Sequence, residues 1–192
     1  MSYRIITTTK TGQELFLGAD MTLLDYWRWA HSDIASNSER GKLAEFIAKC
    51  AVHAPSTHRT EWDAVDVVTK DGIRIEVKSS AYLQTWSCEK LSKIQFDIAP
   101  KKSWDGDTNQ YYSDIGRHSD VYVFCLFTAQ DSTLANPLDL KQWDFYILNT
   151  HVLNTKVPKQ KTIGLSALLK LGAKKVSYSE VHSAILSNNQ KL

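Results

Sequence analysis

One short segment of the sequence places carboxylates and a lysine where they could act together. Residues 64–80, AVDVVTKDGIRIEVKSS, contain two β-branched runs around Lys70-Asp71-Gly72, a pattern that predicts a β-hairpin. Along the second run, residues 73–78 alternate between apolar and charged side chains, so one face of that strand is apolar and the other carries Glu76 and Lys78. Such a pair is also a common salt-bridging pattern on exposed strands. It needs further partners before it indicates a catalytic site.

The length of the turn decides which residue faces Glu76. With three residues in the turn, Asp66 lies opposite Glu76, whereas with two residues Val67 takes that place. Two carboxylates facing each other repel unless positive charge lies between them, and Mg²⁺ takes one or two carboxylates together with waters and substrate phosphate. Such an ion lowers the pKa of a bound water and polarises a phosphodiester, and Lys78 could hold that water or offset charge on the phosphate. The three side chains therefore favour phosphodiester hydrolysis.

The arrangement of Asp66 and Glu76-Val77-Lys78 resembles the PD-(D/E)XK motif of the restriction-endonuclease-like nucleases. Glu45 lies in the helical segment GKLAEFIAKC just before the hairpin, where many of these enzymes carry an acidic residue. The order of elements is also that of their core: a helix with Glu, a strand with Asp, a turn, and a strand with Glu-x-Lys. The resemblance extends over residues 40–86.

The sequence departs from that motif at one position. Val65 stands where the motif has proline, and Asp63, three residues before Asp66, is a second candidate for the motif aspartate. Asp66 is preferred because the three-residue turn places it opposite Glu76. Asp63 would fall on the opposite face of a regular strand.

The resemblance implies a metal-dependent nuclease that hydrolyses DNA phosphodiester bonds with Mg²⁺, for which Mn²⁺ substitutes. It assigns metal binding to Asp66 and Glu76, with Glu45 assisting through water, and it assigns placing or activating the nucleophile to Lys78. Many of these nucleases dimerise so that two sites cut both strands, and a homodimer is therefore implied here. The implied fold is α/β, with a restriction-endonuclease-like core whose central mixed β-sheet is flanked by helices.

Four further side chains are candidates for contacts with nucleic acid. Arg40 precedes Glu45 near the start of the same helix, where backbone N–H groups also favour an anion. Gln84 follows the hairpin closely and could orient a catalytic water. Lys93 and Gln95 share one face of a predicted strand and are expected to contact phosphate or the water shell of a metal.

The remaining pattern predicts one domain in which helices precede and follow a central run of strands, which gives one mixed sheet. Thr22 and Asp25 form a capping-box pattern for a first helix, and residues 100–117 are polar and predicted to be a long loop. The core is expected at about residues 20–150, followed by a basic extension at 151–192. Further elements are predicted at the following positions: a helix around Leu43, Phe46, Ile47 and Cys50, strands at 93–98, 120–128 and 143–150, and helices at 166–171 and 179–187.

Composition excludes several classes of protein. The 192 residues are 43% hydrophobic and 23% charged, and no run of 18 apolar residues suits a membrane span. The three cysteines lie far apart without a CxxC spacing, which indicates reduced thiols and a cytoplasmic location. No glycine-rich phosphate loop or dinucleotide fingerprint occurs, so no nucleotide cofactor is expected. The segment 151–192 carries seven lysines and one acid, which permits contact with a polyanion such as DNA.

Three alternatives to a DNA nuclease stay open at this stage. The first is a nucleic-acid-binding module that keeps the fold without cutting, which is distinguished by whether the four motif side chains converge. The second is a scaffold protein in which the charged face of the hairpin is only solvated. The third is a nuclease acting on RNA or on branched DNA. Loops often carry specificity, so the 100–117 segment and the basic tail are the expected specificity elements.

Overall fold

The computed structural model describes residues 8–61, 63–86, 89–105 and 110–189, which form a five-stranded mixed sheet with helices on both faces. The helices are α1 (Leu23–His31), α2 (Asn37–Ala51), α3 (Thr150–Lys156), α4 (Leu165–Lys170) and α5 (Val181–Asn189). The strands are β1 (Val67–Val68), β2 (Arg74–Ala81), β3 (Gln95–Asp97), β4 (Lys101–Asp105), β5 (Gln110–Gly116), β6 (Val121–Phe127), β7 (Trp143–Asn149), β8 (Thr162–Gly164) and β9 (Lys174–Val176). The predicted fold class, α/β with a central mixed sheet between helices, is confirmed.

The central sheet has the strand order β1-β2-β6-β7-β9. Only β2 and β6 run parallel, and the other neighbours are antiparallel. Every residue of β6 is buried, because apolar layers cover both faces of that strand. One layer is formed by α2 and α5, and the other by α3, α4 and the small β3–β8 sheet.

Helices α1 and α2 begin at side chains that cap them. The Thr22 side chain accepts a hydrogen bond from the Asp25 amide, and the Asp25 carboxylate accepts one from the Thr22 amide, so the predicted capping box is confirmed. Helix α2 turns Ala44, Ile47 and Ala48 toward the sheet. Phe46, which shares the helical spacing in the sequence, points outward and is 60% exposed.

Strands β4 and β5 pair with each other in antiparallel orientation, where a long loop was predicted over residues 100–117. The prediction was wrong because the polar residues between the two strands dominate the composition of the segment. The tyrosines at 111 and 112 and the isoleucine at 115 favour a strand on the second arm.

The basic segment after residue 150 supplies part of the core. Strand β9 pairs with β7 at the edge of the central sheet, and α5 packs on the same face as α2. Its residues Val181, Ala184 and Ile185 are fully or almost fully buried. The segment that the sequence separates from the core thus completes the sheet. No helix in the described ranges is long and apolar enough to cross a membrane.

Arg117 joins the ends of several elements on the second face. Its side chain is buried, and its guanidinium donates hydrogen bonds to the backbone oxygens of Ile98 at 2.7 Å, Val157 at 3.1 Å and Gln160 at 3.0 Å. It also donates to the Asn154 side chain at 3.0 Å. The hydrogen bonds of this one side chain thereby connect the segment before β6 to the end of β3, the end of α3 and the loop before β8.

Candidate active site

The β1–β2 hairpin has the three-residue turn. Val67 pairs with Ile75 and Val68 with Arg74, so the next pair in the register is Asp66 with Glu76. The Thr69 amide donates to the Ile73 carbonyl at 3.0 Å and closes the turn around residues 70–72. Gly72 has a φ of +81°, the left-handed conformation that glycine adopts without strain at the end of such a turn. The sequence alternative with Val67 opposite Glu76 is wrong.

Asp66, Glu76 and Lys78 lie together on the charged face of this hairpin. The Asp66 carboxylate accepts a hydrogen bond from the Val77 amide at 2.7 Å, which ties the two strands together beyond their short ladder. The Lys78 ammonium contacts the Glu76 carboxylate at 2.5 Å, and both side chains are less than one-fifth exposed. A half-buried ion pair thus lies beside a second carboxylate.

The electrostatics of the cluster reflect two carboxylates that share one cation. Burial, together with the negative charge of Glu76 and a smaller contribution from Glu45, raises the pKa of Asp66 to about 6, although Lys78 opposes the shift. For Lys78, burial lowers the pKa, but the charges of Glu76 and Asp66 more than offset it, so the net shift is upward. The lysine therefore stays positive while the carboxylates compete for it.

Glu45 approaches the cluster from α2 and is held by a residue outside the motif. The Arg59 guanidinium contacts both oxygens of the Glu45 carboxylate, at 2.5 Å and 3.2 Å. Glu45 nevertheless lies near enough to Asp66 to contribute to its raised pKa. The four motif residues therefore lie in one neighbourhood, with Glu45 engaged by an arginine from the loop that follows α2.

The cluster forms part of the wall of a cleft with a volume of about 540 Å³. Glu45, Asp66, Glu76 and Lys78 all line it. Asp63, the alternative motif aspartate, lines it as an exposed residue. Besides the motif side chains, strands β4 and β5 and the residues before β6 contribute Lys101, Lys102, Gly116 and His118. The predicted specificity loop thus supplies two lysines to the cleft as part of a β-hairpin.

Tyr122 closes the floor of the cleft beside Glu76. The two residues are register partners on the parallel strands β2 and β6, so their side chains share one face of the sheet. The Tyr122 ring is stacked on Phe124 with 5.5 Å between ring centroids, and the residue is only 3% exposed. Its hydroxyl makes no hydrogen bond with any residue in the described part of the chain, and burial raises its pKa. The cleft therefore contains an O–H donor that stays protonated.

The four predicted nucleic-acid contacts lie away from the cleft. Arg40 is buried, and its guanidinium donates to the Ala35 carbonyl and to the side chains of Asn37 and Ser79, so its predicted phosphate contact is wrong and its role is structural. The Gln84 side chain donates to Ser92 at 2.9 Å inside the loop after β2.

Two of these four candidates are exposed. Lys93 and Gln95 lie on the outer face of the β3 segment, where the Gln95 amide donates to the Thr162 hydroxyl at 2.7 Å. Neither lines the cleft. A contact with a longer stretch of nucleic acid stays a prediction for Lys93.

Several cleft residues have no signal in the motif. Arg59 lies in a predicted loop, and nothing in its spacing indicates that it reaches Glu45. In the sequence, Tyr122 is one residue of an apolar run that predicts a buried strand. The pairing of β6 with β2 brings it beside Glu76. Lys101 and Lys102 lie in the segment whose secondary structure was predicted wrongly. The presence of these residues in the cleft depends on loop conformation and on pairing between distant strands, which local sequence patterns do not show.

The carboxylates do not form a ready-made metal centre. Within residues 8–61, 63–86, 89–105 and 110–189, no three His, Cys, Asp or Glu side chains are grouped so as to hold an ion. Glu45 is bonded to Arg59, which leaves Asp66 and Glu76 as the adjacent oxygen donors. Mg²⁺ often takes only one or two protein carboxylates and keeps several waters, so this pair is a sufficient donor set for it.

Comparison with known protein families gives a match over most of the chain. The sequence model of the family described as Bacteriophage T4 endonuclease IV matches residues 20–167. This range contains every cleft residue named above and ends before β9 and α5. No curated protein matches the sequence.

Proposed function

The chain belongs to the Bacteriophage T4 endonuclease IV family, and from this membership and the geometry of the cleft we propose that it is a metal-dependent DNA nuclease of the PD-(D/E)XK type. The observation that carries the proposal is the cluster of Asp66, Glu76 and Lys78, half-buried at the wall of a cleft and crowded enough to raise the pKa of Asp66 to about 6. A solvated sheet face would not hold two carboxylates in such a position. Perturbed pKa values in a cleft are typical of functional sites.

The residues of the cleft suit Mg²⁺, with Mn²⁺ as a substitute. Asp66 and Glu76 would hold the ion, and Glu45 would assist through water. When bound, such an ion supplies a more acidic water and neutralises charge on the phosphodiester. The repulsion among the carboxylates would favour binding of the ion there, because a divalent cation offsets this repulsion better than one lysine does.

The chain's own side chains would position the substrate. Lys78 stays positively charged beside the reacting phosphate and would orient the attacking water or offset the growing negative charge. Lys101 and Lys102 on the opposite wall would draw the DNA backbone into the cleft. Tyr122 would donate its hydroxyl hydrogen bond to a phosphate oxygen or to the attacking water.

The proposal is tested by cleavage of supercoiled plasmid and of single-stranded DNA with Mg²⁺, with Mn²⁺ and with EDTA. We expect cutting with either ion, none with EDTA, and a fall of at least 100-fold in the Glu76→Gln variant. Glu89→Gln, a matched change at an exposed glutamate away from the cleft, is expected to cut like the wild type. Cutting that persists in EDTA, or that Glu76→Gln leaves intact, would contradict the metal-dependent site.

A binding module of the same fold is the second candidate. The ion pair between Glu45 and Arg59 favours it, because it engages one of the three acidic side chains of the motif. In that case DNA would bind equally well with EDTA and with Mg²⁺, and no substrate would be cut. A panel that includes RNA and branched DNA separates a different substrate from the absence of cleavage.

Tyr122 on β6 allows a test of the site in which the carboxylates stay unchanged. We expect Tyr122→Phe to lower kcat about ten-fold, because the hydroxyl is lost while the buried ring stays stacked on Phe124. The free energy of unfolding should change by less than about 0.5 kcal/mol, since the hydroxyl has no partner among the described residues to lose. Tyr146→Phe on β7 is the matched control, because that hydroxyl donates to Asp144 of its own strand and does not line the cleft. Equal losses of kcat in both variants would contradict the role assigned to the Tyr122 hydroxyl.

The proposal also includes a cytoplasmic location. Cys50 and Cys125 are free thiols, and Cys88 lies outside the described residues. Unpaired cysteines suit a reducing compartment.

A further inference from the structure

A second groove lies directly beside the catalytic cleft. It has a volume of about 450 Å³ and runs between α2, the loop after it and β1. Four residues, Glu45, Arg59, Asp63 and Asp66, line both the groove and the cleft. The groove and the cleft are therefore neighbours, and a molecule whose phosphate lies at the carboxylates could reach the groove past these four side chains.

The floor of the groove is apolar. Pro55, Val65 and Val68 line it together with Phe46, which is 60% exposed. Phe46 is adjacent in sequence to Glu45, so one turn of α2 presents a carboxylate to the cleft and an aromatic ring to the groove. An exposed aromatic ring beside a strongly charged cleft indicates a surface for binding a flat, partly apolar group.

The rim of the groove is polar and carries positive charge. Lys42 and Lys49 lie four residues before and three residues after Phe46, so all three share one face of α2. Lys42 pairs with Glu39, whereas Lys49 forms no ion pair within the described ranges.

Hydroxyl and imidazole groups follow in the adjoining loop at Ser56, Thr57, His58 and Thr60. Such a rim offers hydrogen-bond partners to the polar edge of a ring and a cation to an adjoining phosphate.

We propose that this groove binds one nucleobase of the substrate, next to the phosphate that is cut, and that the base stacks on Phe46. The inference rests on the proposed nuclease function. A nucleobase fits both parts of the groove, because its faces are apolar and its edge carries hydrogen-bond donors and acceptors. Base–aromatic stacking changes affinity by roughly 5- to 150-fold per base, which makes Phe46 a residue that determines where the strand is held.

The test combines a change in the protein with a change in the substrate. The cut position is first mapped on a defined oligonucleotide with Mg²⁺, and each neighbouring nucleotide is then replaced in turn by an abasic one. For the wild type we expect one abasic position to lower kcat/KM about ten-fold. Phe46→Ala should lower kcat/KM on the intact substrate by a similar factor, and the same abasic position should then have no further effect. Phe46→Trp should restore both the rate and the dependence on the base.

Phe16→Ala is the matched control, because it removes another exposed phenylalanine outside the groove. It should leave the rate and the abasic effect as in the wild type. If the wild type cuts but no abasic position matters, or if the abasic effect persists unchanged in Phe46→Ala, the groove does not bind a base and the nuclease function stands. If the wild type cuts no substrate with either metal, the proposed function fails and the inference fails with it.

Discussion

The Asp66→Asn variant is expected to lose DNA cleavage and, in the absence of metal, to unfold at a higher temperature than the wild type. Cleavage should fall by at least 100-fold, because the amide cannot replace the carboxylate as a metal ligand. Stability should rise by about 1–3 kcal/mol at pH 8, because a buried negative charge next to Glu76 is removed. The asparagine oxygen can still accept the hydrogen bond from Val77. Thermal unfolding in EDTA, alongside cleavage in Mg²⁺, measures both effects.

The pH dependence of the stabilisation identifies its source. The folded pKa of Asp66 is about 6, above the ordinary value of 3.8, so between these values the native state binds more protons than the unfolded state. The wild type should therefore lose stability as the pH rises from about 4 to about 6, and the variant should lose less. Below pH 4 the two proteins should be equally affected by this site, since the wild-type carboxyl is then neutral in both states. A stabilisation that is constant with pH would assign it to another cause.

Asp63→Asn tests the choice of motif aspartate. Asp63 is exposed and makes no hydrogen bond to the hairpin within the described part of the chain, so its amide variant should cut like the wild type and keep its stability. Loss of cleavage in Asp63→Asn with activity retained in Asp66→Asn would move the metal site to the earlier aspartate.

Replacing Arg117 is expected to produce the largest loss of stability in the chain. Arg117→Ala removes a buried guanidinium that donates to the backbone oxygens of Ile98, Val157 and Gln160, of which the Val157 oxygen also accepts a hydrogen bond from the Gln160 amide at 3.2 Å. The expected cost is about 3–5 kcal/mol, a large part of the stability of an ordinary domain. Arg117→Lys should recover little of it, because one ammonium cannot reach acceptors that a planar fork reaches in several directions. Urea denaturation measures both variants.

Arg74→Ala provides the comparison for Arg117. Arg74 pairs with Asp120 through two contacts, at 2.7 Å and 3.2 Å, but its side chain is half exposed. Its loss should cost no more than about 1 kcal/mol. Comparable losses at Arg74 and Arg117 would mean that the buried network contributes little.

The parts of the fold that depend on local pattern were predictable. The hairpin was predicted from its β-branched runs and its Gly72 turn, and a three-residue turn placed Asp66 opposite Glu76, whereas a two-residue turn would have placed Val67 there. The capping box at Thr22 and the alternation along β2 likewise need only neighbours in sequence. In these cases, residues close together in sequence determine the strand register or the start of the helix.

The rest depends on pairings between distant segments. Arg40 was expected on the surface because its position in the helix favours an anion, but Ser79 of β2 and the turn before α2 enclose it. Arg59 and Tyr122 enter the cleft through a loop conformation and a parallel strand pairing, neither of which has a local signature. The polar segment at 101–116 was misassigned because it forms a strand pair of its own, outside the central sheet.

The position of β9 and α5 has a consequence during synthesis of the protein. A ribosome makes the proposed catalytic residues between 45 and 78 well before it makes residues 174–189, yet those later residues complete the sheet edge and one apolar layer. In addition, β2 must wait for β6, whose pairing with it spans about 46 residues of intervening chain. Such distant pairings form slowly, so the nascent segment 45–78 emerges without the packing that positions it. Any nuclease activity of the cleft should therefore appear only after residue 189 has left the ribosome.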